Sequence, residues 1–211
     1  MSYPQTRRVD QVDLYHGHQV ADPYRWLEAD ARTSPEVADW IAAQNQVTRR
    51  FLDSIAQREQ FRQRLADLWN YQRFSAPWKM GERYFYLKND GLQNQAVLYW
   101  SETYDGEGRV LLDPNAWADD GSIALGQAEV SDDGRLLAYA RQEAGSDWAT
   151  IHVKEVESGR ELDDLLEWSR HGNIVWNAAG DGFYYARYPQ PPEGQKYQAL
   201  SLNQMVYFHK L

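Results

Sequence analysis

The sequence predicts a mainly β protein with an N-terminal α-helical arm, the β part being about the first two and a half blades of a partial β-propeller. Three observations carry that prediction. A polar turn on a glycine, followed by an apolar strand rich in tyrosine, occurs three times. Its copies are Met80-Gly81-Glu82-Arg83-Tyr84-Phe85-Tyr86, Ser131-Asp132-Asp133-Gly134-Arg135-Leu136-Leu137-Ala138-Tyr139 and Ala179-Gly180-Asp181-Gly182-Phe183-Tyr184-Tyr185. Gly81, Gly134 and Gly180 stand 53 and 46 residues apart, and repeats of about 40–50 residues built from short strands are the mark of propeller blades. The apolar period also changes from helical to two near Tyr71. The 14 Tyr, 9 Trp and 6 Phe fall mostly at alternating strand positions or on helix faces, where aromatic rings build core.

Residues 1–71 read as a helical arm with an extended entry. Asp22-Pro23-Tyr24-Arg25-Trp26-Leu27-Glu28 predicts a short helix with Asp22 as N-cap and Pro23 at the first helical position. Ser34-Pro35-Glu36 repeats that start signal. Val37, Trp40, Ile41, Gln44, Val47, Phe51, Leu52 and Ile55 then follow helical spacing, and Phe61, Leu65, Leu68 and Trp69 continue it.

Residues 72–211 read as the start of the propeller. Blade one takes strands at Phe74–Trp78, Tyr84–Leu87, Ala96–Trp100 and Val110–Leu112. Blade two takes Ala128–Val130, Leu136–Arg141, Thr150–Val156 and a short strand at Glu161–Leu162. Blade three opens with Asn173–Trp176 and Phe183–Arg187 and, after the Pro-rich loop Pro189–Gly194, adds Met205–His209. Leu211 then falls inside a repeat. Two and a half blades leave raw strand edges, and the expectation is the leading piece of a longer protein.

The formal net charge is −9 and the basic residues are scattered, which argues against a nucleic-acid partner. No stretch approaches the ~18 apolar residues of a membrane span. The first residues hold no apolar core of a secretory signal, so a cytoplasmic protein is the expectation. The chain has no cysteine, which excludes thiolate metal sites and a cysteine nucleophile. No cofactor is implied.

Local candidates for chemistry are few. His16-Gly17-His18 invites a metal reading if both imidazoles project from one strand, but no third ligand is placed beside them, and loop histidines explain the motif better. Asp119-Asp120-Gly121 and Ser131-Asp132-Asp133-Gly134 lack the loop length and terminal Glu of a calcium-binding EF-hand, and read as solvated turns. No Gly-x-Ser-x-Gly elbow is present. On its own residues, the chain presents no catalytic triad.

One stretch reaches further. Tyr15-His16-Gly17-His18-Gln19-Val20-Ala21-Asp22-Pro23-Tyr24-Arg25-Trp26-Leu27-Glu28 resembles the N-terminal signature of the prolyl oligopeptidase family of serine peptidases. Gly91-Leu92-Gln93-Asn94-Gln95-Ala96-Val97-Leu98-Tyr99, Leu112-Asp113-Pro114-Asn115, Gly145-Ser146-Asp147-Trp148 and Tyr184-Tyr185-Ala186-Arg187-Tyr188-Pro189 follow in the family's order. The resemblance covers essentially the whole chain. It implies a helical arm, a seven-bladed propeller, and an α/β-hydrolase domain that carries the catalytic Ser, Asp and His beyond Leu211. It further implies that the arm packs on that hydrolase domain, and that the partners are the missing blades, the hydrolase domain and short proline-containing peptides cleaved after proline. Two positions carry over as substrate-binding candidates. Asp147 matches an acidic position on the propeller side of the cavity, with turn-capping as the plainer role. His171, in Trp168-Ser169-Arg170-His171-Gly172, stands where members often place a phenylalanine that lines the substrate pocket, a departure that leaves the peptide preference open or moves the contact to a neighbour. The alternative is a non-catalytic truncated propeller that acts as a binding module.

Overall fold

The computed structural model describes residues 2–143 and 145–211. The chain divides into two compact units, Met1–Leu65 and Ala66–Leu211.

The first unit opens with a hairpin inside the predicted extended entry. Strands β1 (Val12–Tyr15) and β2 (His18–Ala21) pair antiparallel, with Tyr15 opposite His18. Their two-residue turn has φ of 51° at His16 and 84° at Gly17, the left-handed pair that suits the twist of a tight hairpin. His16 therefore sits in the turn and His18 begins the second strand, so the two imidazoles do not share a strand. Among the described residues no group of three metal-ligating side chains forms.

The predicted short helix is smaller than its sequence signal, a 3₁₀ turn over Arg25–Glu28 preceded by Tyr24. Asp22 still serves it from two residues further back, accepting from the Tyr24 amide at 3.3 Å and from the Arg25 side chain at 2.5 Å. Helix α1 (Pro35–Asp53) starts as expected, with the Ser34 hydroxyl accepting from the Val37 amide at 3.5 Å. It stops before Ile55, because the Ser54 amide turns back to the Phe51 carbonyl at 3.1 Å. Helix α2 (Arg58–Trp69) follows. Among the described residues of the two helices only Val37 is buried, whereas Phe51, Phe61, Leu65, Leu68 and Trp69 are exposed. An apolar face of that extent is unusual in water.

Among the described residues the second unit holds three antiparallel sheets, each running in chain order. The first contains β3 (Arg73–Phe74), β4 (Trp78–Met80), β5 (Arg83–Asn89), β6 (Val97–Ser101) and β7 (Arg109–Leu112), with β3 and β4 both pairing with β5. The single strand expected over Phe74–Trp78 is thus split. Pro77 has no amide to give a ladder, and Ser75 bridges the gap by accepting from the Leu87 amide through its hydroxyl at 2.9 Å. The second sheet contains β8 (Ile123–Val130), β9 (Leu136–Glu143), β10 (Ala149–Glu155) and β11 (Glu161–Ser169), in the order β11-β10-β9-β8. The third contains β12 (Val175–Trp176), β13 (Gly182–Arg187) and β14 (Met205–Lys210). The sheets do not close, as expected of a partial propeller.

Alternation along β9 sets the core. Leu137 and Tyr139 face the first sheet, where they meet Phe85, Leu98, Trp100 and Leu112. Ala138 and Ala140 face the third, with Ile151, Val153, Ile174, Phe183 and Tyr185. Each large apolar side chain so buried contributes about 1.5–3 kcal/mol. The phenol carried into this layer is satisfied. The Tyr139 hydroxyl donates to Glu161 at 2.7 Å and accepts from Arg141 at 2.8 Å, and Lys154 closes on Glu161 at 3.1 Å. Burial and the bond to Glu161 raise the Tyr139 phenol well above its ordinary range. His152 stacks on that ring with centroids 5.4 Å apart. Burial, aided by Arg141, holds its imidazole below the ordinary histidine value.

Two of the repeated glycine turns meet backbone to backbone. Gly81 has φ +56° and faces the Asp133 carbonyl, while Gly134 has φ +73° and faces the Met80 carbonyl. A side chain at either position would overlap a main-chain oxygen of the neighbouring sheet. Asp133 holds its own turn by accepting from Ser131 at 2.7 Å and from the Arg135 amide at 3.0 Å. The acidic turn keeps Asp132 and Asp133 exposed, as expected, while its Gly134 backbone is the point where blade two leans on blade one.

Candidate functional site

Asp147 lies in the turn between β9 and β10, and His171 lies in the connection from β11 to β12. Residues 24 positions apart in sequence are thereby brought to the same edge of the second unit. The His171 Nε2 and an Asp147 carboxylate oxygen are 3.8 Å apart. Both are solvated, with 51% and 69% of their side chains exposed. A contact this open to water is worth at most about 0.2–1 kcal/mol, so it does not lock the two groups.

The turn does not need Asp147 as a cap, because Ser146 already fills that role. The Ser146 amide donates to the Glu143 carbonyl at 2.9 Å, and its hydroxyl accepts from the Trp148 amide at 3.0 Å. The Asp147 carboxylate remains available to face His171. On the opposite side, His171 takes a left-handed φ of 50°, a conformation rare outside glycine. Gly172 follows immediately and passes so close to Ala186 that an added side chain would overlap its Cβ. Backbone strain at His171 and the missing side chain at Gly172 together turn the imidazole outward.

His171 forms part of the wall of a cavity of about 380 Å³ built by the second sheet and the connection from β11 to β12. Gln127, Gln142, Ser169, Arg170 and Asn173 supply its polar wall, over a base that includes Ala140, Ala149, Ile151 and Ile174. Gln127 is committed in part, accepting from the Ile174 amide at 3.0 Å and donating to Glu129 at 3.0 Å. An apolar floor with convergent amide, hydroxyl and imidazole groups suits an extended peptide, whose carbonyl and amide groups need partners and whose side chains need apolar cover.

Arg170 is the residue that sequence reasoning passed over. It is 9% exposed, with its guanidinium 4.0 Å from the Trp148 ring centroid and 4.9 Å from that of Tyr188. Among the described residues no carboxylate pairs with it, and its Nε is buried without a hydrogen-bond partner. The charge is held by two aromatic faces instead. The only sequence signal was an arginine beside the already singled-out His171, in a chain with several tryptophans within reach.

A profile of the family described as "Prolyl oligopeptidase, N-terminal beta-propeller domain" matches residues 4–211. The prolyl endopeptidase of Elizabethkingia miricola is 37% identical over the whole chain, which spans 29% of that relative. The dual function macrocyclase-peptidase of Galerina marginata is 34% identical, again over the whole chain and 32% of its own length. Among solved structures, one from a study of two prolyl endopeptidases superposes with a TM-score of 0.86 at 36% identity, covering 100% of this chain and 31% of that one. Prolyl oligopeptidase B from Galerina marginata, bound to a 35mer hydrolysis and macrocyclization substrate, superposes with a TM-score of 0.82 at 32% identity, over 99% of this chain and 32% of its own. The chain thus spans about a third of the length of the relatives it matches.

Proposed function

Because the chain belongs to the prolyl oligopeptidase family, as part of its N-terminal β-propeller region, we propose that it is the peptide-facing, non-catalytic portion of a serine endopeptidase that cleaves short peptides after proline. Chemistry falls to an α/β-hydrolase domain outside these residues, on which the arm packs through the apolar face of its helices. The observation that carries the reading is the pairing of Asp147 with His171 beside the cavity built by the second sheet and the β11–β12 connection. A carboxylate placed there favours cationic peptide groups over anionic ones during entry and binding. The imidazole keeps a flat ring for stacking while adding a hydrogen-bonding edge.

The contribution is one of binding, so it appears in KM. In the full-length protein, Asp147→Ala is expected to raise KM about 2–5-fold for a peptide carrying lysine on the N-terminal side of proline, the effect of losing one solvated charge pair. The matched uncharged peptide should change little, and kcat should stay the same for both. Equal KM changes for the two peptides, or none for either, would remove Asp147 from the peptide path.

A further inference from the structure

We propose that Arg170 is the positioning residue that holds the Asp147–His171 pair together, by clamping the loop between β13 and β14 onto Trp148. This inference rests on the functional reading of that pair. Arg170 immediately precedes His171, and Trp148 immediately follows Asp147, so the guanidinium–indole stack joins the backbones next to both groups. The long loop that links β13 to β14 is bound to the same stack from three points. The Arg170 guanidinium donates to the Ala199 carbonyl at 3.1 Å, and the Trp148 indole donates to the Lys196 carbonyl at 2.5 Å. Gln204 donates through its side-chain amide to the Arg170 carbonyl at 3.3 Å and to the His171 carbonyl at 3.4 Å. Tyr188 flanks the guanidinium at 4.9 Å from its ring centroid, edge-on to Trp148 with the two centroids 6.0 Å apart.

The chemistry explains why arginine stands here. A planar guanidinium can lie against aromatic faces and still donate in its own plane to a carbonyl, whereas a lysine ammonium offers only a point charge. Besides its place in the cavity wall, Arg170 acts on the Asp147–His171 pair through its neighbours. Loss of the clamp frees the loop and lets the two turns that carry Asp147 and His171 drift apart.

The test uses the full-length protein with Arg170→Met, which keeps an unbranched stem and removes the fork. Limited proteolysis within the β13–β14 loop is expected to quicken about tenfold, as local opening becomes easier. KM for the lysine-bearing peptide should rise about as far as in Asp147→Ala, and the two substitutions together should do no more than either alone, the signature of one shared path. Arg170→Lys should restore only part of the protection. Unchanged proteolysis, or KM effects that multiply in the double variant, would overturn the proposal. If Arg170→Met does not fold, Gln204→Ala removes only the exposed tie to the Arg170 and His171 carbonyls. It should still speed loop cleavage, and unchanged cleavage there would count against the clamp. If Asp147→Ala leaves KM untouched while Arg170→Met opens the loop, the clamp stands and the peptide-binding reading fails.

Discussion

Gly134→Ala is expected to lower the stability of the protein by about 2–5 kcal/mol, more than a glycine-to-alanine change in an ordinary turn. Two costs add. The left-handed backbone, φ +73°, costs an L-residue about 1–2 kcal/mol. The new methyl group must also displace the Met80 carbonyl, and overpacking against main chain costs about 1–3 kcal/mol more. Gly159 provides the control. Its φ is +68°, almost the same, yet an added Cβ there meets nothing within 4 Å, so Gly159→Ala should carry only the backbone cost. At about 2–4 °C per kcal/mol for a chain of this size, thermal melts should separate the two variants by several degrees. Gly81→Ala, which meets Asp133 from the other side, should behave like Gly134→Ala. Equal melting temperatures for the Gly134 and Gly159 variants would show that the turns do not carry the contact between blades one and two.

Phe61→Glu is expected to have opposite effects in two settings. Phe61 is 67% exposed and stands on the same helix as the exposed Leu65, Leu68 and Trp69. In the 211-residue chain alone, the substitution should leave the melting temperature nearly unchanged and reduce self-association, since it replaces apolar surface with charge. In the full-length protein, where a hydrolase domain is proposed to cover this face, it should destabilise by about 1.5–3 kcal/mol for the lost burial, with more for an unpaired buried carboxylate. Differential scanning and sedimentation on both forms would check this. A full-length protein indifferent to Phe61→Glu would mean that the arm's apolar face has some other purpose.

Much of the fold was legible because strand signals and burial coincided. Leu136 to Ala140 is a short continuous apolar run, and β9 forms there with Leu137 and Tyr139 on one buried face and Ala138 and Ala140 on the other. Where polar residues face inward the signal failed. Asp163-Asp164 hid β11, which runs from Glu161 to Ser169, because Asp164 is turned toward His209 at 2.6 Å and so occupies an apolar slot in the pattern. The β1–β2 hairpin was missed for another reason. Its turn is His16-Gly17, and histidine is not the asparagine or aspartate that usually announces such a turn. The Ser131–Gly134 turn is legible as a repeat with solvated aspartates, but its contact with blade one is not, since close approach between two backbones leaves no mark beyond the glycine itself.

The candidate site divides in the same way. Asp147 and His171 emerged from the resemblance, and the fold sets them 3.8 Å apart, a pairing that no spacing rule suggests across 24 residues of chain. Arg170 remained unseen because its partners Trp148, Tyr188 and Ala199 are scattered along the chain and meet only when the third sheet packs on the second. Among the described residues, His209–Asp164 and His171–Asp147 are the histidine–carboxylate pairs within 4.0 Å, and no serine hydroxyl is bonded to either imidazole. A triad is a matter of such geometry.

The most direct measurement compares hydrolysis of a quenched fluorescent proline-containing peptide by the 211-residue chain and by the full-length protein, with an alanine-for-proline peptide as reference. The expected result is no turnover above buffer by the chain alone, and cleavage by the full-length protein on the C-terminal side of proline, with the alanine peptide cut far more slowly. Turnover by the rigorously purified chain, or a full-length protein that ignores proline, would contradict the proposed division between a peptide-facing propeller region and a separate catalytic domain.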